Sequence, residues 1–318
     1  MEYLMVGLAL VCLTVKGYSG KKTSVAVRNK GDAYLFNFLR MVFCVAIGIV
    51  MVMTEGALPS LKVDGVMAAI CLLSGVSNAA LLVGWILAVQ KNTLVSVDVG
   101  MTVSSLLPGL LCFALFGSPI SLPKMIGFAL IIVATFILSG GGKKKTRRDF
   151  LSVVWLVIAA VGDGLSGFAQ QLYNRYCTSN GEAYLGTEYP KSVFLFYTYV
   201  FAALALIAVY LIYVLIDEKK NGRATAPVNK TDRRLYIPIP VVIHIAVMAI
   251  CLFAASYFQT AATGDYGMDP QILYPVIKGG CIITVNFTAM IFFNEKMTWR
   301  SIVGSLVALG GIIVMNVL

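Results

Sequence analysis

Apolar residues run along this chain in ten long blocks, over roughly 2–20, 34–54, 65–89, 94–116, 122–140, 150–175, 191–216, 237–261, 270–293 and 298–317. Each is close to the ~20 residues that a helix needs to cross ~30 Å of hydrocarbon. The blocks are continuous and do not show the ten-residue alternation of barrel strands. In lipid every backbone N–H and C=O must be satisfied internally, so such blocks imply helices. The pattern predicts an all-α membrane protein with ten transmembrane helices. Met1–Tyr18 imitates a signal peptide, but Glu2 stands where a basic region belongs and no A-x-A-like site precedes Lys21. It is read as a first span that is retained.

The blocks divide into two sets of five. Phe116-Gly-Ser-Pro-Ile-Ser-Leu-Pro-Lys-Met-Ile-Gly127 and Phe293-Asn-Glu-Lys-Met-Thr-Trp-Arg-Ser-Ile-Val-Gly304 align without a gap, and each joins one apolar block to the next. A shorter echo pairs Gly17-Tyr-Ser-Gly20 with Gly164-Leu-Ser-Gly167. The expected organisation is a first five-helix repeat over 1–142, a basic connecting loop over 143–149 and a second five-helix repeat over 150–318. An odd number of spans per repeat sets the two halves in opposite orientation. Inverted repeats mark secondary carriers, whose near-equivalent halves rock about a site at the bilayer midplane.

Composition agrees. Hydrophobic residues make up 59% of the chain and charged residues 13%, about half the charge a soluble domain carries on its surface. A net charge of +10 would suggest nucleic acid in a soluble protein. Here the basic residues collect in loops, which points to membrane orientation instead. Eighteen Lys and Arg fall in the loops after the odd-numbered blocks, against four (Lys62, Lys124, Arg175, Lys191) after the even-numbered ones. This places the odd-numbered loops in the cytoplasm and both termini outside. The seven Cys include no C-x-x-C pair, and six lie inside apolar blocks. They read as packing residues rather than disulfides or metal ligands.

Candidate chemistry lies with the few polar groups inside the blocks. An ionised side chain in hydrocarbon costs at least ~2.5–3.5 kcal/mol, so it faces a cavity or a partner. Lys16, Arg40, Asp98, Asp163, His244 and Lys278 are the in-span ionisable residues. Asp163 and Lys278 lie deepest, and their opposite charges suit pairing with one another or with a substrate. Lys16 and Asp98 stand near block ends, from which side chains can snorkel to the interface. Arg40 is expected to reach lipid phosphates or to cap a neighbouring helix. His244, the one histidine, has a titration range suited to proton coupling. Asn78, Gln170, Gln171, Asn174, Gln259 and Asn286 add neutral polarity, and Asp163, Gln170 and Asn174 share a helix face by spacing. Trp85, Tyr257 and Tyr274 are suited to stacking on a ring or to anchoring at an interface. Pro275 interrupts the ninth block three residues before Lys278, and broken helices often mark carrier sites.

Several function classes lose support. There is no G-x-x-x-x-G-K-[ST] loop for an ATP motor, and no H-E-x-x-H or metal-spaced Cys/His cluster. No catalytic residue, cofactor or metal is therefore expected. Asp265 and Asp269 have D-x-x-x-D spacing, the one feature that keeps a membrane-embedded enzyme acting on a lipid-linked substrate as the alternative. Asn229-Lys-Thr231 is a formal glycosylation sequon in a loop expected inside.

The segment Ile291-Phe-Phe-Asn-Glu-Lys-Met-Thr-Trp-Arg-Ser-Ile-Val-Gly-Ser-Leu-Val-Ala-Leu-Gly-Gly-Ile-Ile-Val314 resembles the hairpin into the last helix of EamA-like members of the drug/metabolite transporter superfamily. The resemblance spans the chain as two five-helix halves and extends to Pro108 and Pro275; it departs at Ser118, where the family usually has Glu. It implies a central cavity lined by spans 1–4 and 6–9, with spans 5 and 10 as scaffold or homodimer contacts. Relatives of this kind often keep both termini in the cytoplasm, opposite to the charge bias here. The expected function is secondary-active transport of a small polar metabolite (an amino acid, sugar or related organic solute) by alternating access, in a bacterial plasma membrane. The expected partners are that solute and the bilayer. Lys16, Asn78, Trp85, Asp98, Asp163, Gln170, His244, Gln259, Tyr274 and Lys278 form the expected substrate site.

Overall fold

The computed structural model describes residues 1–27, 30–91, 97, 101–117, 121–139, 147–221, 239–293 and 299–317. Among them are ten α-helices: α1 (Glu2–Ser24), α2 (Lys30–Thr54), α3 (Gly65–Lys91), α4 (Leu106–Phe116), α5 (Leu122–Ser139), α6 (Arg147–Tyr176), α7 (Lys191–Asn221), α8 (Ile239–Gly264), α9 (Pro270–Phe293) and α10 (Trp299–Val317). Short 3-10 turns cover Leu58–Leu61 and Met101–Ser105. Seven of the helices are long and apolar enough to cross a bilayer, and shorter apolar helices accompany them. The chain is an all-α integral membrane protein.

Most expected boundaries fall within a few residues of the observed helices, with three departures. The stretch expected as one helix over 94–116 contains a 3-10 turn at 101–105 before α4 begins. Pro108, the third residue of α4, lacks an N–H, which the first turn of a helix does not use, so it suits a helix that starts at Leu106. Hydropathy alone cannot register that break. Helix α1 runs four residues past the expected end of span 1, which draws Lys16 into the body of the helix. Arg147, Arg148 and Asp149, expected in the connecting loop, form the first turn of α6. The rest of that basic segment, Asp98, Ser118, the 229–231 sequon and Glu295 lie outside the described residues.

Side chains sort by face as lipid requires. On α6, Val153, Val157 and Val161 recur every four residues and are exposed, whereas Ala159, Phe168 and Ala169 are buried. On α7, Leu204, Leu211 and Leu215 face outward while Phe194, Tyr199, Ala202 and Leu206 lie inside. The interior includes Met41, Cys44, Met67, Cys71, Ile86 and Phe194, and Tyr173 stacks on Phe194 with ring centroids 4.5 Å apart. All seven cysteines are free thiols.

The helices pack mainly between the first five and the last five: α1 on α8 and α9, α2 on α7 and α8, α3 on α6 and α7, α4 on α6 and α9, and α5 on α10. Advancing every helix by five, with wrap-around, reproduces the same set of pairs. Helices α3 and α6 approach closely. A Cβ on Gly84 would lie 2.6 Å from the Trp155 carbonyl oxygen, and one on Gly162 would lie 2.6 Å from the Ser77 carbonyl oxygen. Lipid provides no hydrophobic drive between helices, so such close van der Waals contact over small residues supplies much of the packing energy.

Candidate functional site: a charged cavity between the halves

Five helices each present a stripe with helical spacing toward the centre. These stripes are Leu13, Lys16 and Gly17 on α1; Asn78, Leu81, Leu82 and Trp85 on α3; Asp163, Ser166, Gly167 and Gln170 on α6; Leu252, Ala255, Ser256 and Gln259 on α8; and Tyr274, Ile277, Lys278 and Cys281 on α9. The intervals are three or four residues, which keeps each set on one helix face. The stripes enclose two adjoining cavities that share Leu13, Lys16, Leu81, Asp163 and Lys278 as walls. Counting space open to the outside, the first holds about 630 Å³ and the second about 560 Å³. Arg40, Trp85 and Met101 belong to the first, and Asn78, Ser104, Gln170, Gln259 and Tyr274 to the second.

Asp163 is the centre of the polar contacts. Its Oδ2 accepts from Lys278 Nζ at 2.5 Å, and Ser104 Oγ lies 2.5 Å from the same oxygen. The Ser104 hydroxyl is also 2.5 Å from the Met101 carbonyl; its single proton serves one acceptor at a time. The 3-10 turn before α4 therefore has a local purpose, since it carries Ser104 to the carboxylate. Pro275 lies inside α9 one turn before Lys278.

The second cavity is lined by satisfied amides and hydroxyls. Tyr274 Oη lies 2.9 Å from Gln170 Oε1 and 3.0 Å from the Gly167 carbonyl, and accepts from Gln171 Nε2 at 3.1 Å. A side chain at Gly167 would meet Pro108 Cγ at 2.9 Å and the Tyr274 ring at 3.2 Å, so only glycine lets the tyrosine approach. Asn78 Nδ2 donates to Ser166 Oγ at 2.8 Å, tying α3 to α6.

Eight of the ten expected site residues line these cavities: Lys16, Asn78, Trp85, Asp163, Gln170, Gln259, Tyr274 and Lys278. Asp98 lies outside the described residues, as does the side chain of Asn286. His244 lines neither cavity. It packs edge-on against Tyr18 with centroids 6.2 Å apart, a position compatible with structure and away from the charges. Asn174 shares the expected face of α6 but donates to Thr263 Oγ1 at 2.6 Å on α8. Arg40, expected at lipid phosphates or a helix end, is instead 2% exposed and lines the first cavity. Its charge inside an apolar block was a signal for a cavity or a partner, but not for the direction in which the side chain turns. Ser104, Ser166 and Ser256 had no such signal, because a lone serine in an apolar block is uninformative.

At one end of the bundle, lysines meet the segment joining α8 to α9. Lys191 Nζ lies 2.5 Å from both carboxylate oxygens of Asp265, and Lys124 pairs with Asp269. The D-x-x-x-D pair thus has each carboxylate held by a separate lysine.

No protein-family model matches the chain, and no curated protein matches it. A solved structure described only as "Crystal structure of protein" superposes with a TM-score of 0.67 at 13% identity, covering 99% of this chain and 96% of that one. That likeness is one of fold.

Proposed function

We propose that this protein is a secondary carrier of the drug/metabolite type, EamA-like in organisation. Ten membrane-crossing segments would form two inverted five-helix repeats, moving a small polar metabolite by alternating access. The observation that carries this reading is the cavity. Lys16, Asp163 and Lys278, on α1, α6 and α9, converge on a space enclosed by otherwise apolar helices, where charge is expensive unless it has work to do. The exchange of helix partners on advancing by five supports two equivalent halves, the arrangement that rocking requires. By the loop charges, the odd-numbered loops face the cytoplasm of a bacterial plasma membrane. The enzyme reading has no comparable support, since Asp265 and Asp269 are separately engaged by Lys191 and Lys124.

The test is release from proteoliposomes loaded with a mixture of amino acids, sugars and organic acids, with the released solutes identified by mass spectrometry. A restricted set should escape through the wild-type protein. Lys278→Ala and Asp163→Ala should abolish that release while remaining at normal levels in the membrane. Release no greater than from protein-free vesicles, or undiminished in both variants, overturns the reading.

A further inference from the structure

We infer that the cavity binds its solute through a carboxylate or phosphate group, and that Arg40 is the residue that receives it. The inference rests on the carrier reading above and narrows its substrate to organic anions.

Among the described residues, four charged side chains line the first cavity: Lys16, Arg40, Asp163 and Lys278. Asp163 and Lys278 neutralise one another at 2.5 Å. Lys16 and Arg40 remain as excess positive charge in one enclosed space. The ionisable groups that bear on Arg40 are Cys44, Tyr199, Cys251 and Lys16, two thiols, a phenol and another cation, with no carboxylate among them.

Arg40 itself is the second observation. It is 2% exposed, yet its Nε and Nη2 are buried with no hydrogen-bond partner among the described residues. Buried guanidinium nitrogens are ordinarily satisfied, because an orphaned charged donor forfeits its hydration with no return. Nε and one Nη nitrogen form the edge of the guanidinium that donates two parallel hydrogen bonds to a carboxylate or phosphate. The donors are present, and no acceptor for them is supplied among the described residues. An entering oxyanion completes the hydrogen bonds of Arg40 and offsets its charge and that of Lys16. Trp85, on the same wall, offers an apolar face to the remainder of the solute. A neutral sugar would leave both cations uncompensated.

The experiment is thermal melting of the purified full-length protein in detergent at constant ionic strength in chloride. Inorganic phosphate, succinate, ethanolamine or glucose is added in turn, since a ligand that binds the folded state raises the melting temperature by mass action. Phosphate or succinate should stabilise the wild type in a saturable manner, and ethanolamine and glucose, which have no oxyanion, should not; which anion is the better fixes the group. Arg40→Met should weaken the apparent affinity about 10- to 100-fold, the loss of charge-assisted hydrogen bonds, and Arg40→Lys should fall between. If Arg40→Met does not fold, Lys16→Met carries the same comparison. Stabilisation by ethanolamine or glucose alone, by none of the four, or by anions equally in the variants overturns the assignment. Proteoliposomes separate this from the carrier reading. An anion that binds through Arg40 but never crosses removes the carrier and keeps the site, whereas a neutral solute that crosses without anion binding does the reverse.

Discussion

Lys278 on α9 and Asp163 on α6 meet at 2.5 Å, each side chain about one-fifth exposed (21% and 19%). Removing one member of such a pair leaves the other charge uncompensated, at a cost that reaches ~3–5 kcal/mol for a fully buried pair and less here because the cavity admits some solvent. Asp163→Asn and Lys278→Met should each lower the melting temperature of the purified protein. The double variant should recover most of the loss, because neutral groups of similar shape replace the whole pair. Flux should stay absent in all three. A double variant as unstable as the sum of the singles would mean that the two charges do not stabilise one another.

The α3–α6 seam makes a sharper structural prediction. A methyl group on Gly162 would stand 2.6 Å from the Ser77 carbonyl oxygen and 2.7 Å from Leu81 N. Those atoms are backbone and cannot swing away, so the helices must separate. Overpacking of this kind costs ~1–3 kcal/mol, and it would disturb Asn78 and Asp163, which flank the contact on the two helices. Gly162→Ala and Gly84→Ala should both reduce melting temperature and folded yield on size exclusion. Gly310→Ala on α10 meets nothing within 4 Å and should be neutral or stabilise by up to ~1 kcal/mol.

Much of this arrangement is legible in the amino-acid sequence because lipid enforces a simple rule on composition. Most of the apolar blocks coincide with helices, seven of them long and apolar enough to cross a bilayer, and buried charges have few places to go, so Asp163 and Lys278 stand out as cavity residues before any coordinate is seen. Legibility fails where the rule is silent. An apolar run through 101–116 looks the same whether it is one helix or a 3-10 turn followed by a short helix. The 3-10 turn places Ser104 against Asp163, a contact with no trace in hydropathy. Arg40 shows the opposite error. Its charge was evident, but sequence spacing alone does not say which way a mid-helix side chain turns. His244 drew notice as the lone histidine, yet its ring packs on Tyr18, because rarity in a sequence says nothing about direction in a fold. The stripes on α3 and α8 were hidden as well, since helices in lipid are apolar on their outer face and lose the contrast that reveals an inner one.

The proposed orientation rests on the eighteen-to-four distribution of basic residues between the two sets of loops. Asn180, exposed in the segment between α6 and α7, belongs to the sparsely charged side. In a background with the native cysteines replaced, Asn180→Cys should react with a membrane-impermeant maleimide added to intact cells. Protection in intact cells with labelling only after permeabilisation would reverse the assigned topology.

The ion pairs at that same end bear on which state of a carrier this is. Lys191 reaches Asp265, and Lys124 reaches Asp269, so the starts of α7 and α5 are strapped to the segment between α8 and α9. The lysines are shielded, but the carboxylates are 48% and 37% exposed. Solvent screening limits each such pair to ~0.2–1 kcal/mol, too little to matter for folding. It is enough to matter for a protein poised between two arrangements, since 1.4 kcal/mol changes a population tenfold. Neutralising Asp265 and Asp269 together with Asn should therefore leave melting temperature within a degree or two of wild type. It should raise the population open at that end by about 2- to 30-fold, the combined worth of two pairs. Gln259 lines the cavity on the side of these pairs, and Gln259→Cys reports the opening through its labelling rate by an impermeant maleimide added from that side. Faster labelling in the Asn/Asn background, with no gain for a cysteine in place of Trp85 in the other cavity, is the expected result. Equal rates at Gln259→Cys in both backgrounds would mean that the two lysines fasten the loop without closing a path.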